Sequence, residues 1–122
     1  MPLILSIDDS PLIHSRIAEF VRKLEVKGLE VEFGNDGLEA LNLVRQYNPD
    51  ILLLDHNMPY IEGCDLIESM QSQNPELFIV ICSSDNDAIM RAVEMDVQGY
   101  ILKPFNYEDF EKVIRRALEE IA

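Results

Sequence analysis

The chain has 122 residues, 48% of them hydrophobic, and a formal net charge of −13. That length suits one domain spanning 1–122, which would bury roughly two thirds of the surface its unfolded form exposes, and leaves no room for a second. Acidity of this degree repels a phosphate backbone, so no nucleic-acid partner is expected, while converging carboxylates would attract a cation.

Met1 leads almost directly into Leu3-Ile4-Leu5-Ser6-Ile7, with no basic segment before it, so a secretory leader is not expected. The longest apolar runs, such as Ile51-Leu52-Leu53-Leu54, are too short to cross a bilayer. Cys64 and Cys82 have no metal-ligand spacing and are expected to be reduced thiols, Cys82 as a small core residue. A soluble, cytoplasmic protein without a membrane partner is expected.

In chain order, Leu3 to Ile7 is the first predicted strand. Ile13, Ile17, Phe20, Val21 and Leu24 recur at helical spacing, with Gly28 as the stop. Leu29 to Phe33 alternates as a strand. Leu38, Leu41 and Val44 mark a second helix starting near Asn35 or Asp36. Ile51 to Leu54 is apolar on both faces, as a central parallel strand must be. A loop with Pro59 and Gly63 follows, then a helix carrying Leu66, Ile67 and Met70 that ends near Asn74-Pro75. Phe78 to Cys82 is a fourth strand. Ile89, Ala92 and Val93 indicate a helix capped near Ser84 or Asp85. Tyr100 to Leu102 is a short fifth strand. Phe110, Val113, Ile114, Ala117, Leu118 and Ile121 trace the last helix.

Five βα units with short connections predict a parallel sheet with helices on both faces. The expected fold is α/β, a flavodoxin-like (βα)5 three-layer sandwich with strand order 2-1-3-4-5. The ligand site of such a sheet lies beyond the carboxyl ends of the strands, where the order reverses between strands 1 and 3.

Asp8-Asp9 ends strand 1, Asp55 ends strand 3, Ser83-Ser84 ends strand 4 and Lys103-Pro104 ends strand 5. Capping of the first helix by Asp8 or Asp9 is the plainer alternative for that pair. Three carboxylates at close quarters shift a pKa or recruit a cation. An all-oxygen site with room for water suits Mg²⁺. A carboxylate there can attack phosphorus and form an acyl phosphate, and it needs no general base because it carries no proton. Mg²⁺ and Lys103 would neutralise the phosphoryl oxygens, and the Ser83 hydroxyl would donate to them.

The motifs Ile7-Asp8-Asp9-Ser10, Leu53-Leu54-Asp55-His56-Asn57-Met58-Pro59 with Gly63, Cys82-Ser83-Ser84, and Gly99-Tyr100-Ile101-Leu102-Lys103-Pro104-Phe105 together resemble the receiver domain of response regulators. The resemblance implies Asp55 as the phosphoacceptor, Asp9 as a direct Mg²⁺ ligand, Asp8 as one acting through water, and Asn57 as the donor of a backbone carbonyl to the metal. It implies Lys103 as the phosphoryl-binding lysine, Ser83 as the switch hydroxyl, with Ser84 as its fallback, and Tyr100 as the aromatic that changes rotamer. It implies a cis Lys103-Pro104 peptide. The implied partners are a sensor histidine kinase or phosphotransfer protein, and a downstream protein on the face of the fourth helix, fifth strand and fifth helix, with homodimerisation on phosphorylation. The chain would catalyse only its own phosphorylation and dephosphorylation.

His56 stands where the family has an apolar residue, and strand alternation is expected to turn it from the site. His14 is expected to be exposed. Asn57 and Asp85, two residues past the acceptor and the switch hydroxyl, suggest an acyl phosphate that decays by itself. Three rivals fit less well. A haloacid-dehalogenase-type phosphatase would need an acid where Asn57 stands. A flavin or nucleotide module would need a glycine- or hydroxyl-rich loop where Asp9-Ser10-Pro11 stands. A pseudo-receiver, a pure docking domain, would not retain the full set of site residues.

Overall fold

The computed structural model describes residues 2–121. The expected domain limits, Met1 and Ala122, lie outside the described residues. In chain order the elements are β1 (Leu3–Ile7), α1 (Pro11–Leu24), β2 (Glu30–Gly34), α2 (Gly37–Tyr47), β3 (Ile51–Asp55), a 3₁₀ turn (Gly63–Leu66), α3 (Ile67–Gln73), β4 (Phe78–Ser83), α4 (Asn86–Glu94), β5 (Gly99–Leu102) and α5 (Tyr107–Ile121). The sheet runs β2-β1-β3-β4-β5 with every neighbouring pair parallel, which is the predicted order.

Each strand of a sheet covered on both sides feeds two cores by alternation. Leu52 and Leu54 of β3 and Ile79 and Ile81 of β4 pack with Ala40 and Val44 of α2, Met70 of α3 and Ile89 of α4. Leu53, Val80 and Cys82 take the opposite face, against Ile17 and Val21 of α1 and Phe110, Ile114 and Ala117 of α5. Both cysteines are buried and free, and burial pushes the Cys82 thiol up to about 12.

Local chemistry sets the helix ends. Ser10 caps α1, its hydroxyl accepting the Ile13 N–H, with Pro11 just inside the helix where a missing N–H costs nothing. The helix stops at Leu24, the last buried position of its stripe. Glu25 turns left-handed (φ 54) and its N–H returns to the Arg22 carbonyl. Gly28, the expected stop, instead serves the turn beyond it at φ 79. Asp36 caps α2, and Asp85 caps α4. The buried stripe of α2 is Gly37, Ala40 and Val44, so Leu38 faces outward at 63% exposure, contrary to the predicted apolar face. In the short α4, Ala88, Ile89 and Ala92 are buried while Val93 faces solvent. β2 lies one residue later than expected, which pairs Gly34 with Ile7.

At the sheet's flanks, β2 carries the exposed Glu30 and half-buried Glu32, while β5 exposes Tyr100 and Leu102. Among the described residues no helix is long and apolar enough to cross a membrane.

Candidate active site

β1 and β3 are adjacent and in register, Ile7 opposite Leu54, so the next residue of each strand emerges at the same edge. Those residues are Asp8 and Asp55, both buried. Asp9, the following residue, is exposed. Asp8, Asp9 and Asp55 each offer a carboxylate oxygen, and these atoms all lie within 4.8 Å of one another. Lys103, at the end of β5, reaches in from the far side. Its Nζ donates to Asp8 Oδ2 and to Asp55 Oδ1, both at 2.9 Å. The Lys103–Pro104 peptide is cis.

Asp8 does not cap α1: its Oδ1 accepts the N–H of Ser10 (2.9 Å), and Ser10 itself is the cap. The Asn57 N–H donates to Asp55 Oδ1 at 3.4 Å. Both bonds to Asp55 therefore fall on Oδ1, and Oδ2 accepts none from the described residues.

Burial pushes the Asp55 carboxyl above the usual carboxylate range. The Lys103 hydrogen bond pulls the other way, and the neighbouring Asp8 charge adds to the rise. Burial also works against the Lys103 ammonium, yet its hydrogen bonds to Asp55 and Asp8 outweigh that and hold its pKa above the ordinary lysine value. The lysine is thus a fixed cation, and a site with two buried carboxylates and one solvent-facing one keeps capacity for further positive charge. Its all-oxygen donor set fits a hard divalent ion.

The other predicted residues stand around this core. Ser83 is fully buried at the end of β4. Its carbonyl accepts the Lys103 N–H (2.9 Å) and its hydroxyl accepts the Asp85 N–H (3.0 Å). Ser84 is exposed. Tyr100 pairs with Ile81 across the β4–β5 ladder and is half exposed. Asp85 Oδ1 is engaged by the Asp87 N–H, so its carboxylate serves the α4 cap. His14 is half-buried, stacked on Phe33 with ring centroids 4.7 Å apart, rather than exposed.

His56 points away from Asp55, as alternation requires, but it is not idle. It is buried, its Nδ1 accepts the Cys64 N–H (3.4 Å), and its Nε2 stands 2.8 Å from Glu62 Oε2. Sequence reasoning missed these partners because Glu62 and Cys64 are joined to His56 only by the path of the intervening loop. The polar residue at an apolar position was the available signal. Gly63 is needed for the same closure: a Cβ there would stand 2.5 Å from the Asp55 carbonyl oxygen, a backbone atom that cannot swing aside.

A family model described as the response regulator receiver domain matches residues 4–115. The chain belongs to this family, the receiver domains of two-component response regulators. It is 32% identical over 117 residues to the response regulator MprA of Mycobacterium leprae, covering 94% of this chain and 50% of that protein. The structure of the chemotaxis response regulator CheY4 of Vibrio cholerae superposes with a TM-score of 0.82 at 28% identity, covering 96% of this chain and 98% of that one. A receiver domain protein from Clostridium thermocellum, at 23% identity, shares the fold with a TM-score of 0.88, covering 99% and 97%. The chain spans half or less of the length of the curated relatives it matches, 46%, 50% and 27% for three of them.

Proposed function

We infer that residues 1–122 act as one phosphoacceptor unit, in which Asp55 takes a phosphoryl group from a sensor histidine kinase or a phosphotransfer protein. The observation that carries this reading is the Lys103 ammonium bonded at once to Asp8 and Asp55, with Asp9 beside them. Mg²⁺ would be held by Asp9, Asp55 and the Asn57 carbonyl, with Asp8 acting through water, and when bound it supplies charge neutralisation to the phosphoryl oxygens.

The chain's own residues do the rest. Asp55 Oδ2, which accepts no hydrogen bond from the described residues, attacks phosphorus in line with the leaving group. An O–P bond forms while the donor's P–N or P–O bond breaks, and the leaving imidazole or acetate takes the electron pair. Lys103 turns from the lost carboxylate charge to the phosphoryl oxygens. Ser83, held at the neighbouring strand end, exchanges its bond with the Asp85 N–H for one to the phosphoryl group, drawing the β4–α4 loop inward. Tyr100 and the face of α4, β5 and α5 then read the change, offering a surface to a downstream protein or a second copy. The acidic surface supports a protein partner rather than a nucleic acid.

Incubation with acetyl phosphate and Mg²⁺ followed by intact mass tests this directly. One phosphoryl adduct is expected, absent with EDTA and absent in Asp55→Asn; an adduct that survives in the variant overturns the assignment. Asn57 beside the acceptor favours hydrolysis of the acyl phosphate, so the adduct is expected to decay while Mg²⁺ is present. A lifetime of many hours contradicts that expectation.

A further inference from the structure

The loop from Asn57 to Glu62 leaves the end of β3 and returns at Gly63. The two ends of this excursion are clasped by one residue. The His56 carbonyl accepts the Gly63 N–H (2.9 Å), and the His56 N–H donates to the Cys82 carbonyl (2.9 Å), which ties the clasp to β4. The imidazole adds two more bonds. Because Nδ1 accepts the Cys64 N–H, the ring proton resides on Nε2, which donates to Glu62 Oε2 at 2.8 Å. The ring is buried, while the Glu62 side chain is 60% exposed.

Each of these bonds acts on a segment that begins beside the acceptor. Asn57 follows His56 directly, and its N–H is already turned onto Asp55 Oδ1. The next peptide group, that of the Asn57 carbonyl, is therefore set by two constraints: the Asp55 bond in front of it and the imidazole clasp behind it. An apolar residue at position 56 would fill the same space and supply neither imidazole bond.

We propose that His56 is a positioning residue for the metal: its imidazole fixes the Asn57–Glu62 loop so that the Asn57 carbonyl is held at the acidic cluster. This rests on the phosphoacceptor reading above, in which that carbonyl is a ligand. Outer partners that orient ligands typically change metal affinity by about 10–100-fold when removed, without touching the metal themselves.

Calorimetric titration of the full chain with Mg²⁺, alongside urea unfolding, tests it. His56→Leu keeps the bulk and removes both ring bonds, and is expected to weaken Mg²⁺ binding about 10-fold or more. His56→Asn returns an acceptor near the Nδ1 position and is expected to recover part of that loss. Glu62→Ala removes only the exposed partner, so it does not threaten the fold, and is expected to weaken binding a few-fold. Glu62→Gln loses the charge but keeps an acceptor, and is expected to bind like wild type. That contrast separates orientation of the ring from simple loss of a nearby charge. If the wild type binds Mg²⁺ and His56→Leu and Glu62→Ala bind equally well, even with lowered urea midpoints, the positioning role is overturned and the phosphoacceptor reading stands. If His56→Leu does not fold, the Glu62 pair decides by the same criterion. If the wild type does not bind Mg²⁺, by calorimetry at two temperatures and by equilibrium dialysis, both readings fall.

Discussion

Lys103→Met is expected to slow the loading of Asp55 from acetyl phosphate by about 100-fold or more, a loss of the size produced by removing one preorganised charge-stabilising donor. Two effects combine. The ammonium sits 2.9 Å from both Asp8 and Asp55 on a half-buried side chain, so the phosphoryl oxygens would lose their fixed cation. The acceptor itself is also weakened. Burial and Asp8 already push the Asp55 carboxyl upward, and the lysine is the principal influence opposing them. Without it the Asp55 carboxyl is pushed further upward, away from the ionised form that attacks phosphorus. Lys103→Arg is expected to rescue little, because a planar guanidinium does not reproduce a compact ammonium shared between two carboxylates. A time course of intact mass at fixed Mg²⁺ reads the rate. Loading of Lys103→Met within about 3-fold of wild type would remove the lysine from the transition state.

Phe110→Ala is expected to cost about 3–5 kcal/mol of folding stability, the usual loss for a fully buried Phe. Phe110 has no exposed surface, and its ring lies 5.5 Å from that of Phe20, which also meets Phe105 and Tyr107. The α1–α5 seam therefore loses its central filler. Against a total stability of about 5–15 kcal/mol for a domain, such a loss brings the chain close to unfolding at ambient temperature. Urea titration gives the measure: a lower midpoint with an unchanged slope. A loss under about 1 kcal/mol would mean that the aromatic cluster can collapse into the cavity.

What the sequence made legible follows from what its patterns encode. β3 and β4 were evident because a strand covered on both faces must be apolar at every position, and Ile51–Leu54 and Phe78–Cys82 are. The acid cluster was legible because topology alone brings the ends of β1 and β3 together. The end of α1 was not, because Glu25 adopts the left-handed conformation without being glycine. The exposure of Leu38 was missed because Gly37 and Ala40 form the buried stripe of α2, and small residues give a weak periodic signal. The His56 clasp was invisible for a different reason. Its bonds depend on the path of an irregular loop, and no spacing rule encodes that path.

The two flanks of the sheet differ in the charge their edge strands would present to a second copy of this chain. An edge strand is a template for further strand pairing unless something discourages it. On β2, Glu30 and Glu32 would bring like charges together as a second copy approached, whereas the net charge of −13 opposes self-approach at either flank. On β5, Tyr100 and Leu102 present no charge of their own. The sheet is therefore laterally polarised, with a charged edge strand on one flank and an uncharged one on the other.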